Sequence, residues 1–261
     1  MEMGLKGRSA LVTGSSKGIG FAVAGRLAGE GVNVTLVARS ETELAAAAAS
    51  IRAQYPTVRV QSIAGDLTEA ASRERIVTAC GDADILVNSA GSVPGGTIEQ
   101  VSDERWRAAW DLKVFGCISL CRAFFTRMKA RRSGVILNVI GTAGERLDAG
   151  YIAGSTGNAA LMAFTKALGS TSADVGVRVV GINPGPVETD RLIYLQKLKA
   201  KERLGDESRW RELYAAMPFG RAATTDEVAA TTAFLASDLC AYTTGTIVTI
   251  DGGIANRGVL P

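Results

Sequence analysis

Seven short apolar runs, at 9–13, 32–38, 58–64, 83–88, 134–140, 177–183 and 246–250, alternate with segments of helical periodicity along the whole chain. The helical patterns lie at roughly 18–30, 42–54, 69–80, 102–130, 151–174 and 225–237. The runs are rich in β-branched residues and almost continuously apolar, as strands covered on both faces must be. Strand–helix alternation of this kind predicts an α/β fold: a doubly wound parallel sheet of about seven strands with helices on both faces. No repeat, low-complexity tract or Pro/Ser linker interrupts it, so residues 1–261 read as one domain.

The first strand–helix junction is Thr13-Gly14-Ser15-Ser16-Lys17-Gly18-Ile19-Gly20. Residues without Cβ let a turn pass close to a pyrophosphate, and the following helix start aims unpaired N–H groups and its positive dipole end at that anion. The spacing is Gly-x3-Gly-x-Gly, not the Gly-x-Gly-x-x-Gly of ordinary dinucleotide folds. After the second run stands Arg39, where such sites carry an acid for a ribose 2′-hydroxyl or arginine for a 2′-phosphate. With Lys17 facing the same region and no acid there, the pattern favours NADP(H) over NAD(H).

The glycine spacing resembles the signature of the short-chain dehydrogenase/reductase family, and the resemblance covers nearly the whole chain. Asp66-Leu67 stands where family members contact the adenine. Asn88-Ser89-Ala90-Gly91 resembles the family's Asn-Asn-Ala-Gly, and Asn183-Pro184-Gly185-Pro186-Val187-Glu188-Thr189 its nicotinamide-side loop. Asp251-Gly252-Gly253 matches the terminal turn. The resemblance implies a Rossmann-type fold and a cofactor site built from Gly14, Ser16, Lys17, Gly18, Ile19, Gly20, Arg39, Asp66, Leu67, Asn88, Ala90, Gly91, Pro184, Gly185, Val187 and Thr189. It also implies a homodimer or homotetramer paired through the helices at 102–130 and 151–174.

The family's catalytic set does not carry over. Aligning Asn158-Ala159-Ala160-Leu161 with the family's Lys-Ala-Ala-Leu puts asparagine in place of lysine, and Gly154 in place of the tyrosine four residues earlier. Gly141 occupies the serine position and Lys113 that of the supporting asparagine. Tyr151 lies seven residues before Asn158, a spacing resembling the Tyr-x6-Lys of divergent enoyl reductases in the same family. The expectation is therefore an oxidoreductase acting on a carbonyl, alcohol or activated alkene of a small molecule. Tyr151 would be its proton donor, Lys113 the displaced cation (with Asp111 or Glu145 as possible partners), and Thr142 a positioning residue. A nucleotide-binding regulatory or scaffold protein that has lost catalysis is the other reading, because cofactor binding and chemistry use different residues.

Composition closes other routes. The chain has no histidine, which excludes a Ser-His-Asp triad and every histidine-ligated metal site. Cys80, Cys117, Cys121 and Cys240 have no paired ligand spacing and read as small buried hydrophobes, so no metal is expected. A net charge of +3 without a basic run gives no footprint for nucleic acid or membrane. With no apolar run of spanning length and no signal-peptide core at the start, a cytoplasmic location is expected. The segment 190–217 mixes Arg191, Lys197, Lys199, Lys201, Arg203, Arg209 and Arg211 with Leu192, Ile193, Trp210 and Tyr214. It reads as a substrate lid that would shape an apolar cleft open to an anionic substrate, or as a solvated helical face.

Overall fold

A computed structural model describes residues 2–257. Met1 and residues 258–261 of the expected 1–261 domain lie outside them. Seven strands form a single all-parallel sheet: β1 (Ser9–Thr13), β2 (Asn33–Ala38), β3 (Val60–Ala64), β4 (Ile85–Asn88), β5 (Gly134–Val139), β6 (Val177–Pro184) and β7 (Thr246–Ile250). Their order is β3-β2-β1-β4-β5-β6-β7, so the winding reverses between β1 and β4. Ligands of such sheets bind at that switch point, outside the carboxyl ends of the strands.

Alternation along each strand feeds two cores. Ala10 and Val12 of β1 point to one face, where they join Val23 and Leu27 of α1 (Gly18–Gly29), Leu44 and Ile51 of α2 (Glu41–Gln54), and Val228 of α8 (Thr225–Ala236). Leu11 points to the other face, with Ile76 of α3 (Ala70–Cys80), Phe124 and Met128 of α5 (Gly116–Arg131), and Leu161 of α6 (Ile152–Ser172). Side chains of this size each contribute about 1.5–3 kcal/mol when fully buried. The alanine run falls in α2, where Ala47 and Ala48 let the helix lie close to the sheet.

The helix expected over 102–130 is broken into three parts. Between α4 (Asp103–Trp110) and α5, residues Asp111–Phe115 form a π-helical turn. Such turns accommodate an extra residue within a helix and recur at functional sites; here the turn carries Lys113. The segment after β6 folds as α7 (Asp190–Leu204) followed by 3-10 turns over Glu207–Ala216, around a satellite core of Ala200, Trp210, Tyr214 and Ala222.

Candidate active site

The glycine turn lies at the switch point. Gly14 adopts φ +66°, and a Cβ there would come within 2.8–2.9 Å of the Ala90 backbone and the Ser89 carbonyl. Thr13 Oγ1, which accepts hydrogen bonds from the amides of Ser89 and Ala90, holds the two strand ends together. A Cβ on Gly20 would sit 2.4 Å from the Gly14 carbonyl oxygen, so this glycine lets α1 pack directly on the turn. Gly18 has φ +61°, with Thr189 Cγ2 3.5 Å from its ideal Cβ position. No side chain caps α1, and its first turn holds no acid, whereas Ser40, Ser102, Thr189 and Thr224 cap α2, α4, α7 and α8. A turn cleared of Cβ atoms, leading to an uncapped helix start at the switch point, fits a dinucleotide pyrophosphate.

The remaining loops gather at the same edge. Arg39 follows β2 close to Asp66 after β3. Burial pushes the Asp66 carboxyl up, but hydrogen bonds from the Thr68 amide and hydroxyl, with the Arg39 charge, outweigh it and hold the group below its ordinary value. The expectation that no acid attends Lys17 is corrected here. Glu43, from the first turn of α2, accepts from Lys17 Nζ at 3.2 Å and from Ser16 Oγ at 3.3 Å. Leu67 and Val187 are core side chains, leaving only their backbone to line a site. Asn88 is buried and donates to Asn138 Oδ1 at 2.9 Å, while its own Oδ1 has no partner. The loop after β6 is pinned by Gly185 N donating to the Ile250 carbonyl, and by Thr142 Oγ1 donating to the Pro184 carbonyl at 3.2 Å. Thr142 is thus engaged with this loop.

Tyr151 is not within a helix but at the N-cap position of α6, paired by an isolated β-bridge to Gly96. Its ring folds over Gly154: a Cβ on that glycine would fall within 2.0–2.5 Å of Cε1, Cζ and Cδ1. Tyr151 packs, with Trp106, against a small apolar cluster of Val93, Val101, Ala109 and Ala153. Burial pushes the Tyr151 phenol up, and the Arg191 guanidinium opposes this.

Lys113 meets neither Asp111 nor Glu145, the partners its sequence neighbourhood offered. Its Nζ donates to the Ile140 carbonyl at 2.8 Å, at the end of β5, and Glu145 instead accepts from Asn183 and Thr249. Burial pushes the ammonium down to about 8; neighbouring Cys117 acts against this, and the Arg191 charge acts with it. Asn158 is buried, donates to the Gly141 carbonyl at 3.1 Å and keeps an unpartnered Oδ1. Gly141 has φ +123°, a conformation that excludes a serine-like side chain without strain. Cys117 and Cys121 do share a helix face, directed at Asn138. The hydrogen bond between them, with burial, holds the Cys117 thiol well above its ordinary value, so it stays protonated and inert.

Arg191 is the residue that sequence reasoning passed over as one lid cation among seven. At the start of α7 it donates from Nη1 to Ser92 Oγ at 3.0 Å and from Nη2 to the Val93 carbonyl at 2.5 Å. Its place two residues after Thr189 is the one signal that sets it apart.

The family model "short chain dehydrogenase" matches residues 8–200. The chain is 33% identical over 259 residues to 3-oxoacyl-(acyl-carrier-protein) reductase FabG of Escherichia coli (strain K12), covering 97% of this chain and 99% of that one. L-sorbose reductase from Gluconobacter frateurii, solved with NADPH and L-sorbose, superposes with a TM-score of 0.92 at 33% identity, over 98% of this chain and all (100%) of that one. An NAD+-bound xylitol dehydrogenase superposes with a TM-score of 0.87 at 26% identity, over 95% and 99%. Among the described residues no helix is long and apolar enough to cross a membrane. The chain belongs to the short-chain dehydrogenase family and is an NAD(P)-dependent oxidoreductase.

Proposed function

We propose that the protein is an NADPH-dependent carbonyl reductase in which Tyr151 replaces the family's usual proton donor. The observation that carries this reading is the Tyr151 ring lying over Gly154, in the space where a tyrosine at position 154 would begin. A side chain at 154 and the ring of Tyr151 exclude each other, so the glycine and the displaced tyrosine belong together. When bound, the reduced nicotinamide supplies the hydride. Tyr151 donates its phenolic proton to the substrate oxygen and regains it from solvent. A phenol pushed above its ordinary value holds its proton at neutral pH, as a donor in the reductive direction must, although burial makes it a weaker acid until Arg191 or Lys113 offsets the rise.

Lys113 stands in for the lysine that Asn158 replaces, but from the π-helical turn. The three N–H groups of its ammonium include one that donates to Ile140, leaving donors for the cleft. Thr142 works through the loop it holds at Pro184. The turn from Gly14 to Gly20, with Asn88, Ala90, Gly91, Pro184, Gly185 and Thr189, would hold the cofactor, while Arg39 and Lys17 would take the 2′-phosphate once Lys17 leaves Glu43. The segment 190–217 would act as the lid, and the molecule would work as a homodimer or homotetramer in the cytoplasm. The relatives' names support a ketone as substrate.

Replacing Tyr151 by Phe tests the reading. We expect NADPH binding, followed by calorimetry, to persist while ketone reduction falls about 10²–10⁴-fold, the usual contribution of a positioned acid. Undiminished turnover in Tyr151→Phe, or absence of NADPH binding by the parent protein, would overturn it.

A further inference from the structure

The loop after β4 brings three groups to one place. Lys113 packs its stem on Gly91, where a Cβ would sit 3.1 Å from Lys113 Cγ and Cδ. Arg191 bonds to the next two residues, Ser92 and Val93. Tyr151 packs in the cluster that contains Val93 and pairs with Gly96. Two cations and a phenol thus share one loop of six residues, 91–96.

Among the described residues neither cation makes an ion pair. Glu145 is engaged by Asn183 and Thr249. Asp190, adjacent in sequence to Arg191, lies in the first turn of α7, where the helix dipole favours a carboxylate. Among the described residues Lys113 has only the Ile140 carbonyl as acceptor, and Arg191 only a hydroxyl and a carbonyl. The Arg191 guanidinium retains its Nε–H and one further N–H on each terminal nitrogen, the planar fork that matches a carboxylate. Mutual repulsion of the two cations is visible in the downward pressure of Arg191 on Lys113. An anion between them would relieve that repulsion and supply the missing acceptors.

We infer that the substrate carries a carboxylate beside its reacting carbonyl, held between Arg191 and Lys113. The inference rests on the reductase reading above. Arg191 and Tyr151 both attach to the 91–96 loop, so an anion at the guanidinium lies on the same side of the cleft as the phenol. The substrate class is therefore an oxo acid, for which a 2-oxo and a 3-oxo acid serve as probes.

The test compares 2-oxobutyrate and acetoacetate with their methyl esters and N-acetylcysteamine thioesters, using NADPH and the full chain. We expect kcat/KM to favour one of the acids over its neutral forms by about 10–100-fold, the range of a charge-assisted hydrogen bond. In Arg191→Leu that ratio should collapse towards unity. Any effect of the lost cation on Tyr151 acts equally on acid and ester, so the ratio isolates the carboxylate contact. An ester or thioester preferred by the parent protein, or an unchanged ratio in the variant, would overturn the inference.

Calorimetric titration of both acids into the protein with NADPH decides the matter if nothing is turned over. Binding weakened about ten-fold in Arg191→Leu would sustain the carboxylate site independently of turnover, and no binding of either acid would overturn the carboxylate site while leaving the reductase reading to its own NADPH and Tyr151→Phe test. The acid–ester comparison in the parent protein needs no variant, and stands even if Arg191→Leu does not fold.

Discussion

An ammonium whose recorded acceptor is one backbone carbonyl gives Lys113 a measurable signature. Its folded-state value is about 8 against an ordinary 10.5. Between those two values the unfolded chain binds the proton and the folded chain does not, so stability from this group rises with pH across that interval. Below about pH 8 both states are protonated and the full penalty for the buried charge remains. Lys113→Met should therefore melt higher than the parent protein at pH 7, with the advantage shrinking as pH rises from 8 towards 10.5. Thermal melts of both proteins across that range check it; an advantage that does not vary with pH would show that Lys113 is not a strained cation. The residue scale also marks what one sequence reveals. The expected departure from the family's catalytic set at 113, 141, 154 and 158 comes from motif spacing alone. The reason Gly154 tolerates Tyr151 is not, because it depends on a ring meeting a backbone three residues away. Arg191 was hidden for a similar reason: only the fold of α7 distinguishes it from the other cations of 190–217.

At the scale of elements, α7 is built to be a separable unit. It buries only Gln196 and Ala200, and its apolar side chains pack mainly on the 3-10 turns that follow rather than on the sheet. Two devices fix its beginning: the Thr189 hydroxyl, which accepts from the Leu192 amide at 3.3 Å, and Arg191, which ties it to the loop after β4. Loss of an N-cap of this type costs about 1 kcal/mol. Because the segment has little sheet contact, that cost should appear as local opening rather than global unfolding. In Thr189→Ala, amide hydrogen exchange over 190–204 should quicken several-fold while β1, β4 and β5 keep their protection; uniform acceleration across the sheet would mean that α7 opens only with the whole fold. The seven strands were legible to within two residues at each end, because strands buried on both faces are nearly continuous apolar runs. The π-helical turn was not. A single inserted residue leaves the helical periodicity on either side intact, so the 102–130 pattern reads as one helix.

The whole molecule exposes more surface than its size requires. At 27.2 kDa a monomeric protein is expected to expose roughly 11,000 Å², whereas the isolated chain exposes 13042 Å². Part of the excess is apolar and includes two places that an assembly would cover. One is the outer side of the α5–α6 pair, where Phe115 is 53% exposed beside the partly buried Ile118 and Phe164. The other is the stretch from the end of α8 to the turn before β7, one of the two edge strands of the sheet, where Phe234, Leu239 and Tyr242 are exposed. A free parallel edge and isolated apolar faces are features that proteins ordinarily cover. A twofold contact through α5 and α6 would give the proposed dimer, and a further contact along β7 the proposed tetramer. Phe115 sits in the π-helical turn two residues from Lys113, so that contact also bears on the geometry of the candidate site. Light scattering after gel filtration should give a dimeric or tetrameric mass for the parent protein. Phe115→Glu should halve that mass, whereas Tyr242→Glu should halve it only if the parent is a tetramer. A monomeric parent protein would overturn the assembly, leaving both apolar faces to be explained by other partners.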